Sequence, residues 1–342
     1  MARKKTYTFI DLFAGIGGFH QAMHSVGMKC VFASEWDKNA RISYEANYKD
    51  IAPNLFENNN CYFNEDITKQ DPTEIPPFDI CCGGFPCQPF SIAGLRRGFE
   101  DTRGTLFFNI ANIVKQKISI GCPPKVLFLE NVKGFTHGKF KPIHDQLVKD
   151  LRDMGYGEEP LAQAVLNSKD YGIPQNRERL WMFAQLGGLP EGFNIVPDKI
   201  ESEAKIGDFL DDNPEKKLYL SEAQIEHLKV KHHIDSFVVE TPLCFDVYNK
   251  KIKRDGYCIT ITQPEHNSLR VVEVPKADGK EIVRKLSPFE QFRLMGFRIS
   301  RDLSECEIDF NGQSYTQLSK RAGNGWDVNL VGILLTHIFK QL

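Results

Sequence analysis

The chain has 342 residues, 41% of them hydrophobic and 26% charged. This length suits one large globular domain or two modest ones, and no apolar stretch approaches the roughly 20 residues of a membrane span, so we expect a cytoplasmic protein without a membrane partner. The formal charge of −2 is not that of a general nucleic-acid binder, so a nucleic-acid partner has to meet a local basic surface.

Nine cysteines occur without a paired CxxC spacing, which argues against a disulfide framework and against a zinc ribbon. His232 and His233 stand near Cys244 and Cys258 in the sequence, but their spacing is not that of metal ligands. We therefore predict no metal site.

The first half of the chain alternates short apolar strands with helix-like segments, the pattern of a parallel sheet covered on both faces. This pattern predicts an α/β fold with a doubly wound, mostly parallel sheet. The predicted strands span 7–13, 29–34, 78–82, 126–129 and 180–185, and the predicted helices span 19–26, 38–48, 106–116 and 143–154.

The alternation ends after Gly187, where charge clusters and short β-like pieces begin. The segment 329–341 has the pattern of a helix that needs an apolar surface to cover, which indicates that the chain returns to the first domain. We predict a main domain over 1–187 plus 305–342 and a smaller, β-rich domain over 188–304.

Ligands of doubly wound sheets bind where the strands end at their carboxyl side. Chemically useful residues follow the first four predicted strands and a weaker edge strand at 61–63, so the sequence predicts one site at which these five strand ends converge. They are the glycine turn Ala14-Gly15-Ile16-Gly17-Gly18, Glu35 with Trp36, Asp66 after a weaker edge strand, Cys87, and Glu130.

The pentapeptide Phe85-Pro86-Cys87-Gln88-Pro89 places one thiol directly after the apolar run 80–84. Glycines and prolines around this thiol exclude a helix and permit a sharp exit from the sheet, which suits a nucleophile that has to reach a ligand. The alternative is a buried loop cysteine with an unreactive thiol, as we expect of Cys81 and Cys82.

The glycine turn at Gly15 and Gly17 lets backbone approach a ligand closely, but it lacks the third glycine of a dinucleotide fingerprint. Glu35, about 20 residues further on, can accept hydrogen bonds from two ribose hydroxyls, and Asp66 can accept an adenine amino proton. Phe13 and Trp36 offer apolar faces. A ligand with an adenosine and no phosphate fits best, which favours S-adenosylmethionine over NAD.

A thiol, a carboxylic acid and a methyl donor suit alkylation of carbon 5 of a pyrimidine, which is a poor nucleophile until a thiolate has added to carbon 6. Protonation of N3 eases that addition, and this assigns the acid to Glu130, whose pKa burial would have to raise. Glu130 as a helix N-cap partner is the alternative.

At this point the residues resemble a known family, the C5-cytosine DNA methyltransferases, everywhere except about 188–283. Six segments resemble its motifs in the order of the family. They are 9–19, Gly84-Phe85-Pro86-Cys87-Gln88-Pro89-Phe90-Ser91, Glu130-Asn131-Val132, Gln175-Asn176-Arg177-Glu178-Arg179, Arg284-Lys285-Leu286-Ser287-Pro288 through Gly296-Phe297, and Gly323-Asn324-Gly325.

The resemblance implies Cys87 as nucleophile, Glu130 as partner of N3, Arg179 near the cytosine O2 and Arg177 in a supporting role. Plain surface ion pairs are the alternative for the two arginines. Asp327 departs from the pattern, since a small apolar residue usually stands there. The residues implied to contact S-adenosylmethionine, which would leave as S-adenosylhomocysteine, are Phe13, Gly15, Gly17, Glu35, Trp36, Asp66, Ile67, Pro86, Leu106 and Asn324.

A base inside double-stranded DNA has to be flipped out to reach a loop thiol. The stretch 91–105, with Ser91, Arg96, Arg97 and Arg103, suits closure on phosphates, although a solvated loop would look the same. By resemblance the domain 188–304 recognises the target, with its variable part at about 188–283. Two basic clusters lie there, although charge runs are common and an ordinary solvated face is the favoured alternative for either cluster. Arg270 and Thr260 are further predicted contacts. The clusters are Lys229, Lys231, His232 and His233, then Lys250, Lys251, Lys253 and Arg254.

Three rival functions remain open: an RNA cytosine methyltransferase, a non-catalytic DNA-binding relative, and a thiol hydrolase or redox enzyme. The last would need a histidine brought to Cys87 by the fold. The architecture resembles bacterial or phage modification enzymes, which often accompany a restriction endonuclease. We expect a monomer.

Overall fold

The computed structural model describes residues 6–57, 62–85 and 106–342. The chain forms two compact units: unit 1 contains Met1–Leu166, Glu178–Pro197 and Val331–Leu342, and unit 2 contains Asn167–Arg177 and Asp198–Leu330. Several predicted site residues lie outside the described residues, together with the side chain of Leu106. They are Pro86, Cys87, Ser91, Arg96, Arg97 and Arg103.

Unit 1 is built on a seven-stranded sheet in the order β3-β2-β1-β4-β5-β8-β6. The pairs β3–β2, β2–β1, β1–β4 and β4–β5 are parallel, whereas β8 runs antiparallel to β5. The predicted doubly wound, mostly parallel sheet is confirmed. The strands are β1 (Thr8–Leu12), β2 (Lys29–Ser34), β3 (Phe63–Asn64), β4 (Ile80–Gly84), β5 (Val126–Val132), β6 (Ala162–Asn167) and β8 (Glu178–Gln185).

Helices α1 (Gly18–Ser25), α2 (Lys38–Tyr48), α3 (Leu106–Ser119) and α4 (Lys141–Asp153) accompany these strands. A local signal starts α2, since the Asp37 carboxylate caps this helix by accepting hydrogen bonds from the backbone N–H groups of Asn39 and Ala40. Apolar side chains of β1, β4, β5 and β8 form one buried core with those of α3 and α4. Burial of this core positions the strand ends.

Unit 2 contains an antiparallel four-stranded sheet in the order β10-β9-β12-β13 and a short parallel pair, β11 with β7. Reciprocal hydrogen bonds between a serine and a residue three positions later begin α5, α6 and α7. The strands are β7 (Gln175–Asn176), β9 (Leu243–Asp246), β10 (Lys251–Lys253), β11 (Cys258–Ile259), β12 (Leu269–Glu273) and β13 (Ile282–Arg284), and the helices are α5 (Glu222–His232), α6 (Pro288–Arg293) and α7 (Tyr315–Asn324).

The final helix, α8 (Val328–Phe339), begins in unit 2 and continues into unit 1. The side chains of His337 and Gln341 both donate to the carbonyl of Asn194 in unit 1 if His337 carries its proton on Nε2. Among the helices of the described ranges, none has the length and apolar character to cross a bilayer.

Candidate active site

The glycine turn after β1 has a backbone that few side chains tolerate, since Phe13, Gly15 and Gly17 all have positive φ angles. At Gly17 an added Cβ would lie 2.1 Å from the ring of Tyr48, whose hydroxyl donates to the Gly17 carbonyl at 2.8 Å. The ring of His20 stacks on that of Tyr48 at 4.0 Å between centroids. Tyr48 therefore holds the turn from α2, a contact that the sequence did not reveal.

Glu35 ties the turn after β1 to the turn after β2. Its carboxylate accepts one hydrogen bond from the backbone N–H of Gly15, at 2.8 Å, and one from that of Asp37, at 2.7 Å. Each carboxylate oxygen retains a further acceptor position. The neighbouring Trp36 is 71% exposed, an unusual state for a large apolar ring.

Asp66 lies at the end of β3, as predicted, where it caps a short 3-10 turn. Its carboxylate accepts hydrogen bonds from the hydroxyl and the backbone N–H of Thr68 and pairs with Lys69, and these contacts hold its pKa below the ordinary value. Ile67 is buried in the core, and Phe13 packs against the same core while it stays half-buried.

These residues fit an adenosine-type ligand. Two carboxylates are acceptors for hydroxyl and amino groups, and the exposed indole of Trp36 offers a flat apolar face. Among the residues that the structure describes, nothing lies within 4 Å of the place where a Cβ of Gly15 would be. The set therefore suits the nucleoside part of a ligand.

Glu130 lies within β5 rather than after it, in register with Gly84 on one side and Trp181 on the other. It is only 7% exposed, and its Oε1 lies 3.0 Å from Nε of Arg179. Residues two positions apart on a strand share a face, so the antiparallel pairing of β8 with β5 brings Arg179 to the face of Glu130. An ion pair results in which both side chains are largely buried.

Asn131 connects this ion pair to the chain that precedes Cys87. Its buried amide donates to the carbonyl of Phe85 at 3.1 Å, and its oxygen accepts the N–H of Val132 at 2.8 Å. Phe85 is itself buried, with its ring against those of Phe107 and Phe135. Asn131 thus holds the last described residue before Pro86. Its place directly after Glu130 was the only sequence signal for this role.

The two arginines predicted for the site belong to different units. Arg179 lies in unit 1, whereas Arg177 is buried in unit 2, where it donates to the carbonyls of Ile261, Gly323 and Gly325. Arg177 therefore stabilises the backbone of unit 2. Neither arginine forms the plain surface ion pair that was the alternative.

The motif pattern of the chain has a matching family. The C-5 cytosine-specific DNA methylase family matches residues 7–340. This chain belongs to that family.

Curated relatives of this chain include Type II methyltransferase M.HpaII of Haemophilus parainfluenzae, 43% identical over 237 residues that make up 67% of this chain and 60% of that protein. M.HhaI of Haemophilus parahaemolyticus is 40% identical over 65% of this chain and 59% of its own length, so the chain spans about three fifths of both. M.NgoBI of Neisseria gonorrhoeae is 36% identical over 95% of this chain and 90% of its own.

Solved structures agree on the fold. The Dnmt2 methyltransferase of S. pombe superposes with a TM-score of 0.68 at 20% identity and covers 98% of both chains. A putative DNA modification methyltransferase of an E. coli prophage gives a TM-score of 0.65 at 15% identity, over 98% of this chain and 99% of that one. At these identities the likeness concerns the fold alone.

The remaining predicted residues of the chain lie in unit 2. Asn324 ends α7, and its Oδ1 accepts from Nε2 of Gln263 at 2.5 Å. The unusual Asp327 has a structural explanation: its carboxylate accepts the N–H of Leu330 and caps α8, and burial raises its pKa to about 6. An apolar residue at this position could not supply that cap.

The predicted DNA contacts of unit 2 also have local partners. The guanidinium of Arg270 donates to the carbonyls of Asn267 and Leu269, and burial lowers its pKa. The hydroxyl of Thr260 donates to the carbonyl of Asn176 at 2.6 Å. Neither contact tests a role toward DNA, so both stay predictions.

Cys81 and Cys82 are fully buried in β4, and burial raises the pKa of both thiols above the ordinary value. Such thiols are unreactive, because the thiolate is the nucleophile. In the part of the chain that the structure describes, no group of three or more His, Cys, Asp or Glu side chains is arranged to hold a metal ion.

Proposed function

We propose that this methylase transfers a methyl group from S-adenosylmethionine to carbon 5 of a cytosine flipped out of a short duplex DNA sequence, through a covalent adduct between Cys87 and carbon 6. The observation that carries the proposal is the buried Glu130–Arg179 pair, next to which Asn131 holds Phe85, two residues before Cys87. An acid and a cation then lie beside the last described residue of the chain that leads to the thiol.

Glu130 and Arg179 are suited to the polar edge of a cytosine. In cytosine, N3 is bonded to carbon 2, which carries O2. In the protein, Oε1 of Glu130 lies 3.0 Å from Nε of Arg179. With a proton on Glu130, that carboxyl donates to N3 while the guanidinium of Arg179 donates to O2, which withdraws electrons from the ring. Thiolate addition at carbon 6 becomes easier, because the negative charge that develops on the ring is stabilised.

Cys87 acts as the nucleophile in this proposal and is regenerated in the same cycle. Its sulfur forms a bond to carbon 6, which makes carbon 5 enamine-like and able to take up a methyl group. Loss of the proton from carbon 5 then returns an electron pair to the ring and expels the thiolate. We assign no residue to the removal of that proton.

The cofactor, when bound, supplies an electrophilic methyl group and leaves as S-adenosylhomocysteine. We propose that Glu35 accepts hydrogen bonds from the ribose hydroxyls with the positions its two backbone donors leave free, and that Trp36 packs on the adenine. Asp66 accepts from the adenine amino group. The other proposed contacts are Phe13, Gly15, Gly17, Ile67, Pro86, Leu106 and Asn324.

For DNA we propose that 91–105, with Ser91, Arg96, Arg97 and Arg103, contacts the backbone around the flipped base, and that the domain 188–304 recognises the sequence, with Arg270 among its contacts. The rest of the chain, 1–187 plus 305–342, performs catalysis and binds the cofactor. The named relatives are Type II methyltransferases, which supports a role in a restriction-modification system with a separate endonuclease.

Glu35→Gln should weaken cofactor binding by roughly 10- to 100-fold, because a neutral amide replaces a charged acceptor of hydroxyl and backbone N–H groups. The measurement is calorimetric titration of the purified protein with S-adenosylhomocysteine.

The matched control is Glu65→Gln, an exposed glutamate that pairs with Arg41 beside β3. We expect wild-type affinity for this control. Equal affinities of Glu35→Gln and wild type, with both proteins folded, would contradict the assignment of Glu35.

The proposed activity is tested by bisulfite sequencing of plasmid DNA from cells that express the wild-type chain and from cells with the empty vector. We expect methylated cytosine at one short recurring sequence in the first sample alone. If DNA is unmodified in both samples, sequencing of bisulfite-treated RNA from the same cells decides between an RNA methyltransferase and a non-catalytic binder.

A further inference from the structure

The loop between β9 and β10 in unit 2 is held by hydrogen bonds to one buried side chain. The buried carboxylate of Asp246 accepts the backbone N–H groups of Tyr248 and Asn249 at 3.0 and 3.1 Å, and the side-chain amide of Asn249 at 2.7 Å. The hydroxyl of Ser268 donates to the same carboxylate. One buried acid therefore determines the conformation of the loop 247–250.

Strand β9, which precedes this loop, leads into it through residues that are also held by contacts with their neighbours. Val247 donates its N–H to the carbonyl of Ser268, and the ring of Phe245 is buried against that of Phe237 at 5.0 Å between centroids. Above this base Tyr248 is 83% exposed. A rigid hairpin thus presents an aromatic ring to solvent, at little entropic cost to a partner that binds it.

Basic residues follow Tyr248 in the chain. A cleft of about 640 Å³ is lined by Lys250, Lys251, Lys253 and Arg254 together with two carboxylates, those of Asp235 and Asp255. Lys253 pairs with Asp255 at 3.4 Å. Within the described residues, Lys250, Lys251 and Arg254 have no carboxylate at ion-pair distance.

The other basic cluster of this region differs. Lys229 pairs with Glu281 and Glu226, and His232 is buried. Lys229 and His232 therefore have contacts within unit 2. The side chains of Lys250, Lys251 and Arg254 are available to a ligand.

Lysines on an edge strand have another explanation, because they prevent edge-to-edge pairing of sheets. β10 is an edge strand of its sheet. This explanation covers the lysines but not Tyr248, which carries no charge. A polyanion that also presents base edges accounts for the ring and for the cations.

We propose that Tyr248 contacts the bases of duplex DNA and that Lys250, Lys251 and Arg254 bind its phosphates. This inference rests on the proposed function and names the hairpin 247–250 as the element that reads the target sequence. The ring supplies an apolar edge and a hydroxyl for contact with base edges in a groove, and the cations supply sequence-independent attraction.

The test is fluorescence anisotropy with two labelled duplexes, one that carries the methylated sequence found by bisulfite mapping and one in which that sequence is scrambled. We expect Tyr248→Ala to lower the ratio of the two affinities by about tenfold, since it removes a contact to the bases. The double variant Lys250→Ala/Lys251→Ala should weaken both complexes equally and reduce the salt slope of log K by about 2.

Lys276→Ala is the matched control, an exposed lysine in the β12–β13 connection of the same sheet. Thermal melting establishes that each variant is folded, and Tyr248→Phe should keep most of the discrimination if the ring carries it. The inference would be overturned if Tyr248→Ala kept the wild-type ratio of the two affinities, or if the double variant had the same salt slope as Lys276→Ala. The methylation map would uphold the proposed function in either case. A wild type that modifies no DNA would remove both.

Discussion

Cys87→Ser abolishes methyl transfer while binding of S-adenosylhomocysteine and of duplex DNA stays near the wild-type level. A serine hydroxyl is a far weaker nucleophile than a thiolate, so addition to carbon 6 fails and carbon 5 is never activated. The change replaces one atom with a smaller one and leaves Glu130, Arg179 and Asn131 intact. Incorporation of labelled methyl groups into plasmid DNA measures turnover, and titrations measure binding.

The control for Cys87→Ser is Cys122→Ser, which changes a partly exposed thiol that follows α3. We expect this variant to retain wild-type turnover. Methylation by Cys87→Ser at the wild-type rate would refute the covalent mechanism. Loss of DNA and cofactor binding in a folded Cys87→Ser protein would instead assign Cys87 a role in binding.

Glu130→Gln lowers kcat by about 10²- to 10⁴-fold, the usual contribution of a positioned general acid. The amide has nearly the size of the carboxyl and still offers Arg179 an acceptor oxygen, but it has no acidic proton for N3. The affinity for S-adenosylhomocysteine should change little, since the proposed cofactor contacts lie with other residues. Single-turnover methylation assays separate this chemical step from product release.

Glu178→Gln provides the comparison for Glu130→Gln. Glu178 precedes Arg179 in the chain but pairs with Lys133 on the surface at 2.5 Å. Loss of an exposed pair has a small effect, so we expect a wild-type rate. If Glu130→Gln and Glu178→Gln have the same single-turnover rate as wild type, Glu130 does not assist through N3.

Local patterns in the sequence were sufficient for the sheet and for the placement of most candidate residues. Strands read as short apolar runs because a parallel strand is covered on both faces, and the predicted strand 29–34 matches β2. Glycines and acids after those runs indicated the ligand end of the sheet. Glu35 and Asp66 follow their strands as this pattern predicted.

Strand direction and long-range contacts were beyond the reach of those patterns. Arg177 and Arg179 stand two residues apart in one motif. Arg177 nevertheless stabilises the backbone of unit 2, whereas Arg179 pairs with Glu130 because β8 runs antiparallel to β5. Asn131 gained its role from a carbonyl 46 positions earlier, at Phe85. No periodicity in either segment encodes such a partner.

The sequence by itself determined the family, the α/β sheet and the residue types available for chemistry, since motif order and apolar periodicity are properties of neighbouring residues. Only the tertiary structure decided which side chains are buried or paired within the fold and which remain available to a ligand. Asp327 became a helix cap and Lys229 an internal ion-pair partner, whereas Trp36 and Tyr248 stayed exposed. The physical reason is that burial and pairing depend on distant elements, which a local pattern does not contain.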